Sequence, residues 1–235
     1  MLELENRLPS IALAIFAHPD DAEVACGGTL AKWASAGCSV HVLVATQGEK
    51  GSTDEGMGVR ELAKRRSVEM TSASAELGLA GRLYLEIPDG EVENSLALRG
   101  NLVKAVRSLK PDTVICPDPT AIFFGQDYLN HRDHREIGWA AIDAVAPASA
   151  LPHYFPDAGR PHQVEILLLS GTLEPDIAID ITSTLEHKVA ALQCHLSQVG
   201  SSPEWVEEMV RQRAQDAGRS VNVDHAETFR RQFLG

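Results

Sequence analysis

The sequence predicts a three-layer α/β/α domain built on a mostly parallel sheet, and three observations carry that prediction. Short, nearly continuous apolar runs such as residues 11–17 (IALAIFA) alternate with segments whose apolar residues recur at helical spacing. Those runs lack the in-out alternation of a half-exposed strand, as expected where helices cover both faces of a sheet. No linker or internal repeat separates the elements, so residues 1–235 read as one domain, with 146–235 as a C-terminal elaboration.

The run at 11–17 is a buried strand. Polar residues follow at once, and GGTLAKWASAG then places Leu30, Trp33 and Ala34 on one helical face, with Gly37 as the stop. Residues 40–46 (VHVLVAT) complete a strand–helix–strand unit. Four glycines between 48 and 58 predict a loop. Residues 60–77 read as a helix ended by Gly78, 82–85 as a short strand and Pro88-Asp89-Gly90 as a turn. Leu96, Val103, Val106 and Leu109 mark the next helix, closed by Pro111. A strand over 113–116 precedes a long loop through Asn130 and a helix over 135–145. Residues 146–161 hold four prolines and are expected to be non-helical. Strands follow at 164–170 and, more weakly, 177–181. Ser183 stands three residues before Glu186 as a capping box, ahead of a stripe formed by Leu185, Val189, Leu192, Leu196 and Val199. Pro203 after Ser202 starts a last helix, to about Ala217.

Composition narrows the function classes. With 44% hydrophobic and 23% charged residues the chain has the makings of a packed core rather than disorder. Asp and Glu outnumber Lys and Arg, 33 to 21, for a net charge of −12, which opposes nucleic-acid or anionic-membrane partners. No apolar run reaches the roughly 20 residues of a membrane span. The acidic first ten residues lack the pattern of a secretory signal, so the expected location is cytoplasmic. Cys26, Cys38, Cys116 and Cys194 form no CxxC pair and read as buried thiols.

Two polar clusters fall where an open α/β sheet binds ligands, just past its strand ends. In the first, His18-Pro19-Asp20-Asp21-Ala22-Glu23, three carboxylates and an imidazole would repel one another without a cation or buried proton. His18 and Asp21 lie one turn apart if a helix begins here, and Asp20 must then leave the backbone in another direction, toward a metal-bound water. The bland alternative is that the aspartates only favour a helix N-terminus. Gly27-Gly28 does not make a dinucleotide site, because G-x-G-x-x-G is absent at this turn. In the second cluster, His131-Arg132-Asp133-His134, His134 can complete a two-histidine, one-carboxylate set with His18 and Asp21, a donor set suited to catalytic zinc, while iron or cobalt suits it too. Asp133 could fix the tautomer of His131. Each histidine alone could equally be structural.

AHPDDAE, NHRDH and KVAALQCHLSQ resemble the PIG-L/LmbE family of zinc-dependent N-deacetylases, as do TQGEKGS, the R-x-x-E of Arg66 and Glu69, and IPDG. The likeness covers nearly the whole chain and implies a Rossmann-like fold acting on N-acetylglucosaminyl compounds. Carried over, it implies His18, Asp21 and His134 as ligands of Zn2+ (or Fe2+ or Co2+), Asp20 as general base, His131 as oxyanion donor and Asp133 as its orienting partner. Arg66 and Asp89 would hold substrate, although Arg66 could also be an exposed helix cation. His195 and His225 are further substrate-side candidates, each with a structural alternative. His225 departs from the tyrosine that this family often carries before Ala-Glu. The implied reaction releases acetate and a free amine from a small N-acetylated amino-sugar conjugate, with protonated His131 sharing the developing charge. A homo-oligomer is in keeping with the family. The competing readings are metal-dependent hydrolysis of another bond and a non-catalytic sugar-binding protein. The loops at 48–58, 117–130 and 146–161 are expected to shape substrate choice.

Overall fold

The computed structural model describes residues 2–200 and 203–235; Met1, Ser201 and Ser202 lie outside them, so the helix start expected at Ser202 is described only from Pro203. The first half of the chain contributes β1 (Glu3–Leu4), β2 (Ile11–Phe16), α1 (Asp21–Ser35), β3 (Ser39–Thr46), α2 (Val59–Glu76), β4 (Gly81–Ile87), α3 (Leu96–Leu109) and β5 (Thr113–Pro117). The second half begins with a hairpin, β6 (Phe123–Phe124) and β7 (Tyr128–Leu129), and α4 (Arg132–Asp143). It continues through β8 (Ile166–Ser170), β9 (Ile177–Asp180), α5 (Leu185–Gln193), α6 (Leu196–Val199), α7 (Pro203–Arg219) and β10 (Ala226–Phe233).

Among the described residues eight strands form the main sheet, in the order β1-β9-β10-β8-β5-β2-β3-β4. Every pairing is parallel except the two made by β10. The unbroken apolar run at β2 now has its reason. Ala12, Ala14 and Phe16 enter one core with α1, α2 and α5, while Leu13, Ile15 and Ala17 enter the other with α3 and α4. A third cluster joins α5 to α7 through Val189, Leu192, Val206 and Val210.

From β2 the chain adds β3 and β4 on one side, then returns through α3 to lay β5 on the other. The loops leaving β2 and β5 therefore part and open a crevice at the carboxyl edge of the sheet, where such folds take ligands. Both polar clusters lie there.

Several expectations need correction. Leu96 is 70% exposed, because α3 buries Leu98, Leu102, Val103 and Val106 instead. The loop before Asn130 contains the β6–β7 hairpin. Residues 146–161 are not free of helix: a π-turn spans Ala144–Ala148 and a 3₁₀ turn Pro156–Ala158. This segment also sits at the opposite edge of the sheet, where α4 ends and β8 begins, and so does not shape the crevice. Buried Arg107 holds it there by donating to the carbonyls of Ala148, Ser149, Leu151, Tyr154, Phe155 and Gly159. The Ser183–Glu186 box does not form; Thr184 precedes α5, and its hydroxyl donates to the Gly28 carbonyl at 2.8 Å. The α5 stripe breaks after Leu192, leaving Leu196 58% exposed on α6. No expected element corresponds to β1 or β10.

Candidate metal centre

His18 stands two residues past β2, and the turn to α1 is made by Asp20 in a left-handed conformation, φ 102°. That region is costly for a residue with a Cβ. Asp20 makes no side-chain cap on α1, so the helix-end explanation does not account for it. Asp21 instead folds back over the strand end. Its Oδ2 accepts the N–H groups of Ala17 at 3.1 Å and His18 at 2.8 Å, while Oδ1 lies 3.1 Å from His134 Nε2.

His134 is delivered by the first turn of α4, which starts three residues earlier than expected because the His131 ring caps it, accepting the Asp133 N–H at 3.2 Å. On its far side His134 Nδ1 lies 3.1 Å from Asn130 Oδ1, and Asn130 Nδ2 donates to the Ala121 carbonyl. The amide orientation is thus fixed, Nδ1 carries the proton, and Nε2 presents a lone pair. His18 is arranged likewise. Its Nε2 lies 3.0 Å from Asp89 Oδ1 and 3.5 Å from Asp133 Oδ2, which places its proton there. The Nδ1 lone pair then faces His134 Nε2 at 3.1 Å and Asp21 Oδ2 at 3.5 Å.

Two lone pairs and a carboxylate thus meet at one point. Metal–nitrogen bonds of about 2.1 Å put two ligands of one tetrahedral ion roughly 3.4 Å apart. The separations of 3.1, 3.1 and 3.5 Å suit such an ion, and the N₂O donor set suits a divalent transition metal. Electrostatics show the same appetite for positive charge. Burial opposes a charged His18, yet Asp21 and the hydrogen bonds to Asp133, Asp21 and Asp89 push it up to about 12. His134 is raised against burial by Asp21.

The remaining expected residues divide. Burial raises Asp20, Arg66 opposes that and Asp21 reinforces it, leaving a carboxyl well above its ordinary range. The His131 ring centroid is 5.0 Å from that of His18 and 5.5 Å from that of His134. Burial and the charge of His18 lower His131, which opposes the protonated form expected of it. Asp133 is fully buried, but its carboxylate takes the Gly90 N–H at 2.7 Å and faces His18; it touches His131 through its backbone. Asp89 is held by Lys50 and Glu49, its Oδ2 accepting the Lys50 N–H at 3.0 Å and its own N–H donating to Glu49 at 2.8 Å. Burial would raise Asp89, but His18 and the Lys50 N–H bring it to about 2.

Arg66 is not an exposed cation: it is 3% exposed and bonded to Gly48, Pro19 and Asp20. His195 is fully buried, 3.7 Å from Glu23, itself 1% exposed. His225 is not brought to the centre, because it precedes β10, with β8 and β5 between that strand and β2. Its backbone bonds Thr182 and Ile181. Sequence reasoning missed Asn130, Glu49 and Lys50 as site builders. The signal for Asn130 was its spacing of four from His134 at a helix start.

Residues 13–145 match the family model described as PIG-L: GlcNAc-PI de-N-acetylase. The chain belongs to the PIG-L family. Like other PIG-L deacetylases it has side chains that could hold a metal ion, the donor atoms of His18, His131 and His134, and those of His18, Asp89 and Asp133, lying within 4.8 Å of one another, and among its described residues no helix is long and apolar enough to cross a membrane. Over 190 residues it is 33% identical to a diacetylchitobiose deacetylase of Thermococcus kodakarensis, covering 79% of this chain and 69% of that one. It is 28% identical to a 1D-myo-inositol 2-acetamido-2-deoxy-alpha-D-glucopyranoside deacetylase of Rhodococcus opacus, covering 82% of this chain and 66% of the relative, just under two thirds. Among solved structures, the N,N'-diacetylchitobiose deacetylase of Pyrococcus horikoshii superposes with a TM-score of 0.88 at 32% identity, covering 95% of this chain and 84% of the other.

Proposed function

We propose that this PIG-L chain hydrolyses the N-acetyl amide of a small N-acetylglucosaminyl-type substrate, releasing acetate and a free amine. The observation that carries the proposal is the meeting of His18 Nδ1, His134 Nε2 and the Asp21 carboxylate beside the raised carboxyl of Asp20. Relatives that act on diacetylchitobiose and on a GlcNAc-inositol support the substrate class.

His18, Asp21 and His134 would hold the ion, with Zn2+ favoured by the mixed N/O donors and Fe2+ or Co2+ as alternatives. Bound there, it would supply Lewis acidity and bring a water's pKa toward neutrality. The chain's own groups do the rest. Asp20, with a carboxyl tuned upward, takes the proton of the attacking water. His131, its Nδ1 committed to the Asp133 N–H, offers Nε2–H to the carbonyl oxygen as charge develops; one such donor is worth about 3–4 kcal/mol. The proton held by Asp20 then passes to the departing nitrogen, so that water is consumed and acetate and amine are released in equal number. Asp89 and Asp133 fix the His18 ring, and we assign them to orientation rather than to substrate or His131. We also take residues 146–235 as an elaboration that completes the same single domain, since β8, β9 and β10 extend the sheet of the matched segment.

Anaerobic metal analysis, followed by an acetate-release screen on diacetylchitobiose and GlcNAc-inositol, tests the reading. One transition-metal ion per chain and metal-dependent acetate release are expected. A metal-loaded protein that releases no acetate but cleaves phosphoesters would overturn it, as would one that only binds sugar.

A further inference from the structure

The short helix α6, with His195 at its start, is held in place by polar groups. Leu196 is exposed, and Val199 is only partly buried against the α5–α7 cluster. The other side chains of this turn reach three separate parts of the protein. His195 is fully buried toward α1, its Nε2 3.7 Å from Glu23 Oε1. Ser197 is bound by α2: the buried Glu69 carboxylate accepts its N–H at 2.8 Å and its hydroxyl at 2.6 Å. Gln198 reaches the loop after β3, its Nε2 donating to the Gly51 carbonyl at 3.1 Å.

That loop is the footing of Asp89. The Gly51 N–H closes a turn onto the Gly48 carbonyl at 3.2 Å. Within the turn, Lys50 donates its N–H to Asp89 Oδ2 and its ammonium to the Asp89 carbonyl, while Glu49 accepts the Asp89 N–H. Asp89 Oδ1 in turn lies 3.0 Å from His18 Nε2. Contacts thus run unbroken from α2 through Ser197, Gln198 and the loop to the His18 ring. Ser197 and Gln198 stand outside residues 13–145, the stretch matched by the family model.

We infer that the turn His195–Gln198 is a latch that positions loop 48–51 and, through Asp89, the His18 ring, with Ser197 and Gln198 as its positioning residues. This rests on the reading of His18 as a metal ligand. The net worth of one hydrogen bond is roughly a fivefold change in an equilibrium. In amide exchange of the metal-free full chain, Gln198→Ala should therefore speed the Lys50, Gly51 and Asp89 N–H groups by about fivefold. Ser197→Ala removes a bond to α2 and none to the loop, yet it should speed the same amides by at least about twofold. Ser197→Thr keeps the hydroxyl and should leave them near their original rates. Amides of β2 and β5 should not change in any variant, which separates release of the loop from general loss of stability. In the metal-loaded chain, loss of the ion to a chelator should quicken in S197A and Q198A and return toward the original rate in S197T, because outer partners hold a ligand in its binding orientation.

Loop amides that respond to Q198A alone would reduce α6 to a single surface contact and overturn the latch. Faster loop exchange with unchanged metal loss would separate the loop from the centre and overturn the positioning role. A chain that takes up no metal would refute the metal-centre reading, while its amide exchange would still decide the latch.

Discussion

His18 serves two masters with one ring: Nε2 points its proton at Asp89 and Asp133, and Nδ1 turns its lone pair to Asp21 and His134. A divided ring of this kind makes metal binding a proton-exchange reaction. Without metal, the folded chain keeps His18 charged up to about 12, far above the ordinary imidazole value, so an incoming ion must displace a proton. Apparent affinity should then rise with pH, by up to about tenfold per unit for each proton displaced. Competition titrations between about pH 6 and about pH 9 check this, and a flat or falling affinity would refute it. At the same scale Asp20→Asn should retain the ion while turnover drops by about 10²–10⁴-fold, whereas His18→Ala or His134→Ala should lose the ion itself. Metal content measured beside acetate release distinguishes the two. The sequence made these residues readable because each cluster is contiguous and sits between a strand and a helix. It did not reveal that Asp133 attends His18, or that Arg66 bonds Gly48, Pro19 and Asp20. Those partners meet only when α2, α4 and two loops converge, which no local spacing encodes.

Among the elements, α1 shows how a remote contact steers the site. The helix is interrupted at Cys26, φ −150° and ψ 19°, and the amides freed by the break, Gly28 N and Thr29 N, donate to Glu227 at 3.0 and 2.8 Å. Lys188 from α5 joins the same carboxylate and also reaches the Val24 carbonyl at 2.8 Å. A Cβ on Gly28 would stand 2.7 Å from Ile181, so the approach of α1 needs glycine there. Removing one member of a buried pair strands the other. Glu227→Ala should cost about 3–5 kcal/mol in a denaturant titration, and Lys188→Met in that background should restore much of it. An additive double variant would contradict the pairing. The parallel strands were legible from their apolar runs, but β10 was not. AETFRRQF reads as a surface segment, since the polar residues of β10 are satisfied far away in sequence: Glu227 by Lys188, Arg230 by Glu174, Arg231 by Glu3 and Glu5.

For the molecule as a whole, β10 is the seam. Among the described residues β1 and β9 join the remaining sheet only through it, and its two antiparallel pairings differ from every other pairing of the main sheet. In native-state hydrogen exchange β10, β9 and β1 should therefore open together at lower free energy than β2, β3 and β5; equal protection throughout would refute a separate unit. The two edges of the sheet also divide the labour. Both polar clusters stand at the carboxyl edge, while Arg107 gathers 148–159 at the other, where Leu151 and Tyr154 are both 47% exposed. Serine at either of these two positions should leave KM within about twofold, surface changes being close to neutral, and a larger shift would place the segment near substrate. It follows that the far edge is a natural handle. A support coupled through a cysteine introduced at position 151 or 154, with the partly exposed Cys194 replaced by serine, would hold every molecule the same way up, with its cleft turned toward the flowing solution.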